Sequence, residues 1–180
     1  MDSASLANPA NYFLDPGIGQ PSAVTVNGSL PFSVDLTFAS AMDTNLIYCL
    51  SVAAVQDCPG NTIATPNSTC LGIAARVALG DVILNEILFN PYTGGSDYVE
   101  LYNNSDKIID LAEINIGEIY EETDSIFNGK AASVGPRLLF PRSYACFTAD
   151  KAHQLETYFP IDPAAIYELS SFPSYDDAEG

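Results

Sequence analysis

Tryptophan is absent from the 180 residues, histidine occurs once, and only six lysines and arginines stand against 23 aspartates and glutamates. The shortage of positive charge excludes whole classes of partner, because binding to nucleic-acid backbones and to anionic lipid surfaces rests on clustered Lys and Arg. One histidine, His153, and four cysteines without a C-x-x-C pair exclude the usual structural zinc sites. No apolar run approaches the roughly 18 residues of a membrane-spanning helix, so membrane insertion by that route is not expected. The opening MDSASLANPANY has neither the basic region nor the apolar stretch of a secretory signal. Any export signal is therefore expected outside these residues.

Catalytic signatures are missing too. The chain holds no phosphate-binding loop, no G-x-G-x-x-G after a strand and no G-x-S-x-G elbow; GGSDY only places Ser96 in a loop. His153 lies among Lys151, Gln154 and Glu156 and is expected to face solvent. Paired carboxylates are abundant, as they must be in so acidic a chain. The sequence points away from an enzyme.

The charge itself is uneven. Residues 1–79 hold five acidic residues and Arg76 alone, a balance of −4; residues 80–180 hold eighteen acidic and five basic residues, a balance of −13. Most of this is expected to be solvated surface. Calcium takes six to eight oxygens from carboxylates, Asn carbonyls and backbone, donors that such a chain supplies. Two stretches are candidates for it: Glu118, Glu121, Glu122 and Asp124, and the tail residues Asp176, Asp177 and Glu179. Neither has the spacing of an EF-hand loop. The tail is taken as the candidate metal site.

Cys58 and Cys70 bracket the loop-like PGNTIATPNST, and a disulfide closing a loop that short is worth about 3 kcal/mol. That pairing is the expectation; Cys49 with Cys70 is the alternative the spacing leaves open. Cys49 and Cys146 lie in the strand-like LIYCLSV and SYACFTA, where cysteine often acts as a small core residue. A disulfide in turn implies an extracellular or cell-surface location.

Period-two alternation dominates the pattern of the chain. NYFLD, SAVTVN, FSVDLTFA, LIYCLSVAAVQD and CLGIAARVALG read as strands, with Phe32, Val34, Leu36 and Phe38 on one face and Leu46, Tyr48, Leu50 and Val52 on another. A boundary is expected near Leu79–Gly80. Beyond it, VILNEILFNPYTGGSDYVELYN reads as a hairpin. Strict alternation there puts Val82, Leu84 and Glu86 on one side, and Tyr98, Glu100 and Tyr102 opposite Val99 and Leu101. DKIIDLAEINIGEIY reads as two strands, EETDSIFNGKAASVGP as a loop, and RLLFPRSYACFTA as strand broken at Pro141. TADKAHQLETYFP is the one helix candidate, with Thr148 as cap and Asp150 in its first turn. Many short strands and one brief helix predict an all-β, sandwich-like fold.

From DVILNEILFNPYTGGSDYVELYNNSDKIIDL onward, residues 80–180 resemble a lamin-tail domain in the form found in multidomain secreted proteins of Bacteroidetes-like bacteria. The resemblance rests on the strand Asn85–Glu86–Ile87, the Pro91 turn, the run from Glu100 to Asn103, Ser105–Asp106–Lys107 and IIDL, with RLLFPRSYACFTAD, YFP and SFPSYDDAEG in order behind them. Residues 1–79 resemble, more loosely, the latter part of a bacterial Ig-like domain, through NYFLDPGIG, VDLTF and YCLSVAAVQDCPGNTI. The resemblance implies an Ig-like β-sandwich preceded by a partial Ig-like domain, with both ends cut relative to the families. It implies a non-catalytic spacer or adhesion role in an exported protein, with protein or polysaccharide partners at the cell surface.

Eukaryotic members have proposed nucleic-acid partners, which the −13 balance argues against here. Asn85, Glu86, Glu100 and Asn103 are expected to complete the fold rather than bind a ligand. The alternatives are a calcium-linked or carbohydrate-binding adhesion module, using Tyr92, Tyr98, Tyr120 and Tyr175, and the accessory domain of a secreted hydrolase.

Overall fold

A computed structural model describes residues 1–28, 33–44, 46–65, 67–120, 125–158, 162–170 and 172, with the side chains of 118–120, 127 and 128 left aside. The chain divides into two compact units, Met1–Ile73 and Ala74–Gly180. Residues 74–79 thus belong with the second unit. There the Ala75 N–H donates to Ile108 O at 2.8 Å, and Val77 packs on the core.

The first unit opens with a short helix, α1 (Ser3–Leu6), capped by the Asp2 carboxylate on Ser5 N–H. β1 (Tyr12–Asp15), β2 (Ala23–Asn27), β3 (Ser33–Thr37), β4 (Tyr48–Val52) and β5 (Ser68–Leu71) follow. β1, β4 and β5 form one antiparallel sheet, and β2 pairs with β3. Leu6, Tyr12 and Val55 form the buried centre, with Val34, Leu36, Leu50 and Val52 packed against it. The period-two faces of β3 and β4 are therefore as expected. Phe32 lies outside the described residues, and Leu46, beyond the start of β4, is exposed. The last strand is shorter and earlier than CLGIAARVALG suggested, ending at Leu71.

The disulfide joins Cys49 to Cys70, not Cys58 to Cys70. The sheet register is the reason: Cys49 and Cys70 are direct partners on β4 and β5, with Cα atoms 4.0 Å apart. Cys58 is an exposed free thiol.

The second unit contains β6 (Val82–Leu88), β7 (Tyr98–Asn103), β8 (Ile109–Asp110), β9 (Asn115–Tyr120), β10 (Ser125–Ala131), β11 (Leu138–Leu139), β12 (Tyr144–Thr148), α2 (Lys151–Thr157) and β13 (Ile166–Glu168). Its main sheet runs β13-β12-β7-β6, with β13 parallel to β12 and the rest antiparallel; β9 pairs with β10, and β8 with β11. Val99, Leu101, Ala145 and Phe147 on the inner face of this sheet pack against Ile109, Leu111, Ile116, Ala132 and Leu139. The fold is all-β and sandwich-like.

Two local expectations change and a third holds. The acidic stretch taken as a loop contributes β10, which hydrogen-bonds to β9 across an irregular register. Two residues of β10, Asn128 and Gly129, and the polar run before it had masked the alternation of Ile126 with its neighbours. The helix cap is Asp150, whose Oδ1 accepts from His153 N–H at 2.9 Å. Thr148 is instead buried at the end of β12, its hydroxyl donating to Asp97 O at 2.8 Å. The turn expected at Pro141 is present, with Arg142 in the left-handed region at φ 60°.

Candidate functional site: the outer face of the main sheet

The hairpin β6–β7 sets the geometry. Leu84 faces Leu101, but Glu86 faces Glu100, so Asn85 is an extra residue bulged out of β6. Beyond the bulge the sidedness shifts by one. Val82, Leu84 and Ile87 share the inner side with Val99, Leu101 and Asn103, while Glu86 turns to the outer side with Glu100. The expectation that Glu86 follows Leu84 on one face is corrected accordingly. In the hairpin loop Gly94 takes φ +87°, and a Cβ on Gly95 would lie 2.7 Å from Pro91 Cβ and 3.2 Å from His153 Nε2. His153 is therefore half-buried against this loop rather than out in solvent.

Registers between neighbouring strands align one row across the whole sheet: Glu86 opposite Glu100, Glu100 opposite Cys146, Cys146 beside Ile166. This row lies in an open groove of about 680 Å³. Gln154 and Tyr158 of α2 and its C-cap line it, as do Tyr98, Tyr144 and Asp162. Gln154 is buried, its Nε2 donating to Ser96 O at 2.8 Å, so the helix is tied to the hairpin loop. Tyr98 and Tyr158 meet edge to face with centroids 5.8 Å apart.

Two hydrogen bonds fix the carboxylates. The Asn85 amide donates to Glu100 Oε1 at 2.7 Å, and the Tyr98 hydroxyl donates to Glu86 Oε1 at 2.5 Å. Burial, and then the Glu86 carboxylate, push the Tyr98 phenol well above its ordinary range. Burial pushes the Cys146 thiol up to about 12, with Glu100 and Glu86 adding to it. Cys146 is thus a neutral thiol on the outer row, not the core residue its apolar surroundings in sequence suggested.

Asn103 has another role. It is fully buried at the end of β7, and its Nδ2 donates to Lys107 O, Leu139 O and Phe140 O at 2.8, 3.1 and 3.0 Å. Its Oδ1 accepts from Ser105 N and Ser105 Oγ at 3.0 and 2.7 Å. The four polar residues of the hairpin therefore divide: Asn103 closes backbone inside the fold, while Asn85, Glu86 and Glu100 line a groove.

The candidate calcium ligands Asp176, Asp177 and Glu179 lie outside the described residues, as do Glu121, Glu122 and Asp124 and the side chain of Glu118. Among the described residues no group of three or more His, Cys, Asp or Glu is placed to hold a metal ion. Of the tyrosines singled out for sugar stacking, Tyr98 lines the groove and Tyr92 is largely exposed in the hairpin loop; Tyr175 and the Tyr120 side chain are not described. No helix among the described residues is long and apolar enough to cross a membrane.

Sequence reasoning missed Tyr144, Cys146, Tyr158 and Asp162. Alternation within SYACFTA already sets Tyr144 and Cys146 apart from Ala145 and Phe147, but only the strand register brings Cys146 to Glu100. No family model, curated protein or solved structure matches this chain.

Proposed function

We propose that the chain is a non-catalytic stretch of a larger exported bacterial protein, a partial Ig-like domain leading into a lamin-tail β-sandwich, and that it acts as an extracellular spacer or adhesion module. Asn103 carries this reading. The most distinctive polar residue of the lamin-tail-like hairpin has all of its hydrogen-bonding capacity committed to neighbouring chain, its two amide hydrogens shared among three carbonyls and its oxygen accepting twice. A motif residue used in this way specifies a fold and leaves chemistry to surfaces. The Cys49–Cys70 bridge between paired strands supports an oxidising compartment. Two units, each with its own buried centre, suit a chain of serial modules.

The test is deletion of residues 74–180 from the full-length protein in its own cells. Attachment of the protein or the cell to surface protein or polysaccharide is expected to fall, while any catalysis carried by other domains continues. Substrate turnover by the isolated chain, or a cytosolic location with Cys49 and Cys70 reduced, would sink the reading.

A further inference from the structure

The outer row carries a cost that the fold alone does not require. Like charges directly opposite on neighbouring strands are destabilising, and Glu86 faces Glu100. Among the described residues neither carboxylate has a Lys, Arg or His within ion-pair distance; the ion pairs are Lys107 with Asp81 and Arg142 with Asp106. Each is held instead by a neutral donor on one oxygen only, which leaves acceptor capacity on both. Beside them stand the rings of Tyr98 and Tyr158, whose edge-to-face arrangement gives the groove an aromatic wall. Two uncompensated carboxylates beside tyrosine rings form a site for a cation that can also stack.

The size of the groove selects among cations. About 680 Å³ is far more than one metal ion occupies, and calcium asks for six to eight oxygens. A guanidinium group fits better. It is planar, always charged, forks two donors onto a carboxylate and stacks on aromatic faces. The excess of acid over base in this unit, eighteen against six over residues 74–180, draws basic segments toward it from a distance.

We propose that the groove between β6, β7, β12 and α2 binds an arginine side chain of a basic peptide segment on a partner protein. This rests on the adhesion reading and names the chemistry of its partner. Glu86 and Glu100 take the charge, Tyr98 and Tyr158 take the face of the guanidinium, and Asn85 holds Glu100 in place.

The test is calorimetric titration of the full chain, at physiological ionic strength, with a capped glycine pentapeptide carrying two arginines. Its uncharged citrulline analogue serves as the control peptide. The arginine peptide is expected to bind one to one and the citrulline peptide not at all. Glu86→Gln with Glu100→Gln is expected to weaken binding at least about tenfold, and Tyr158→Leu to weaken it in the same direction. Asp43→Asn with Glu113→Gln removes the same charge from exposed positions outside the groove, and is expected to stay within about twofold of wild type. The Glu86→Gln with Glu100→Gln variant is expected to melt no lower than wild type, since it relieves a like-charge pair.

Equal weakening by both double variants would reduce the effect to a diffuse field and overturn the proposal. So would equal binding of the citrulline peptide, or no binding by wild type. Failure of the peptide alongside loss of attachment in the 74–180 deletion removes the groove and keeps the adhesion reading. Peptide binding with attachment unaffected by that deletion does the reverse.

Discussion

At the scale of single residues, environment separates groups that look alike in the sequence. Cys58 and Cys146 are both unpaired, yet one is exposed and the other is half-buried with its thiol pushed up to about 12. The thiolate is the reacting form. Alkylation at neutral pH, read by mass spectrometry on the native protein, is therefore expected to label Cys58 quickly and Cys146 only on unfolding. Equal rates would contradict the burial of Cys146. The roles of Asn103 and Glu100 were not separable in YVELYN by residue type alone. Both are polar residues on an alternating strand, and sidedness alone divides them: Asn103 falls on the inner side with Val99 and Leu101, Glu100 on the outer. Alternation made that division legible; the hydrogen-bond partners of Asn103, drawn from residues 105, 107, 139 and 140, were not.

At the scale of elements, the strands were read well and their registers were not. Alternation names a strand from within itself, but pairing depends on distant residues. The cysteines show the consequence. Loop length favoured Cys58–Cys70, while the β4–β5 register set Cys49 opposite Cys70, 21 residues apart. Replacing Cys49 and Cys70 by serine is expected to cost the first unit about 3 kcal/mol in urea unfolding, and Cys58→Ser almost nothing. The bulge at Asn85 is a second case, because one extra residue moves Glu86 from the core side to the groove side. Among the described residues β6 is an edge strand, with Leu84 on it 55% exposed. A bulge blunts such an edge against pairing with another chain. Deleting Asn85 restores simple alternation with Val82, Leu84 and Ile87 still inward. The variant is expected to fold but to self-associate, seen as a rise in mass by sedimentation. A monomeric deletion variant would show that the bulge has no such protective role.

At the scale of the whole molecule, protonation sets a pH window. Asp81 is held below its ordinary value by the Lys107 ammonium and the Ala78 N–H; Asp57 by Asn61; and Asp2 by Ser5. Lowered folded values mean stability that is fully present above the ordinary carboxylate value of about 4 and lost as pH falls through the folded values. Tyr98 and Cys146 are raised, so their contribution is fully present at neutral pH and is lost as pH climbs from about 9 upward. Melting temperature is expected to fall on both sides of that range, with Asp81→Asn flattening the acid limb and Cys146→Ala the alkaline limb. Limbs unchanged in these variants would mean that other groups set the window. The all-β class was legible from alternation, and the acidic balance from composition. The groove was not, because it is assembled from four strands and a helix whose order in space no local pattern records.

The central claim is that the hairpin's polar residues divide between fold and surface site, and stability tests it most directly. We would follow urea unfolding of the full chain through the amide signals of β7, comparing wild type, Asn103→Ala and Glu100→Gln. Loss of Asn103 strands several backbone groups and is expected to cost about 3 kcal/mol. Glu100→Gln keeps an oxygen for Asn85, relieves the repulsion with Glu86 and is expected to gain a few tenths of a kcal/mol up to about 1. A large loss in Glu100→Gln, or none in Asn103→Ala, would contradict the division.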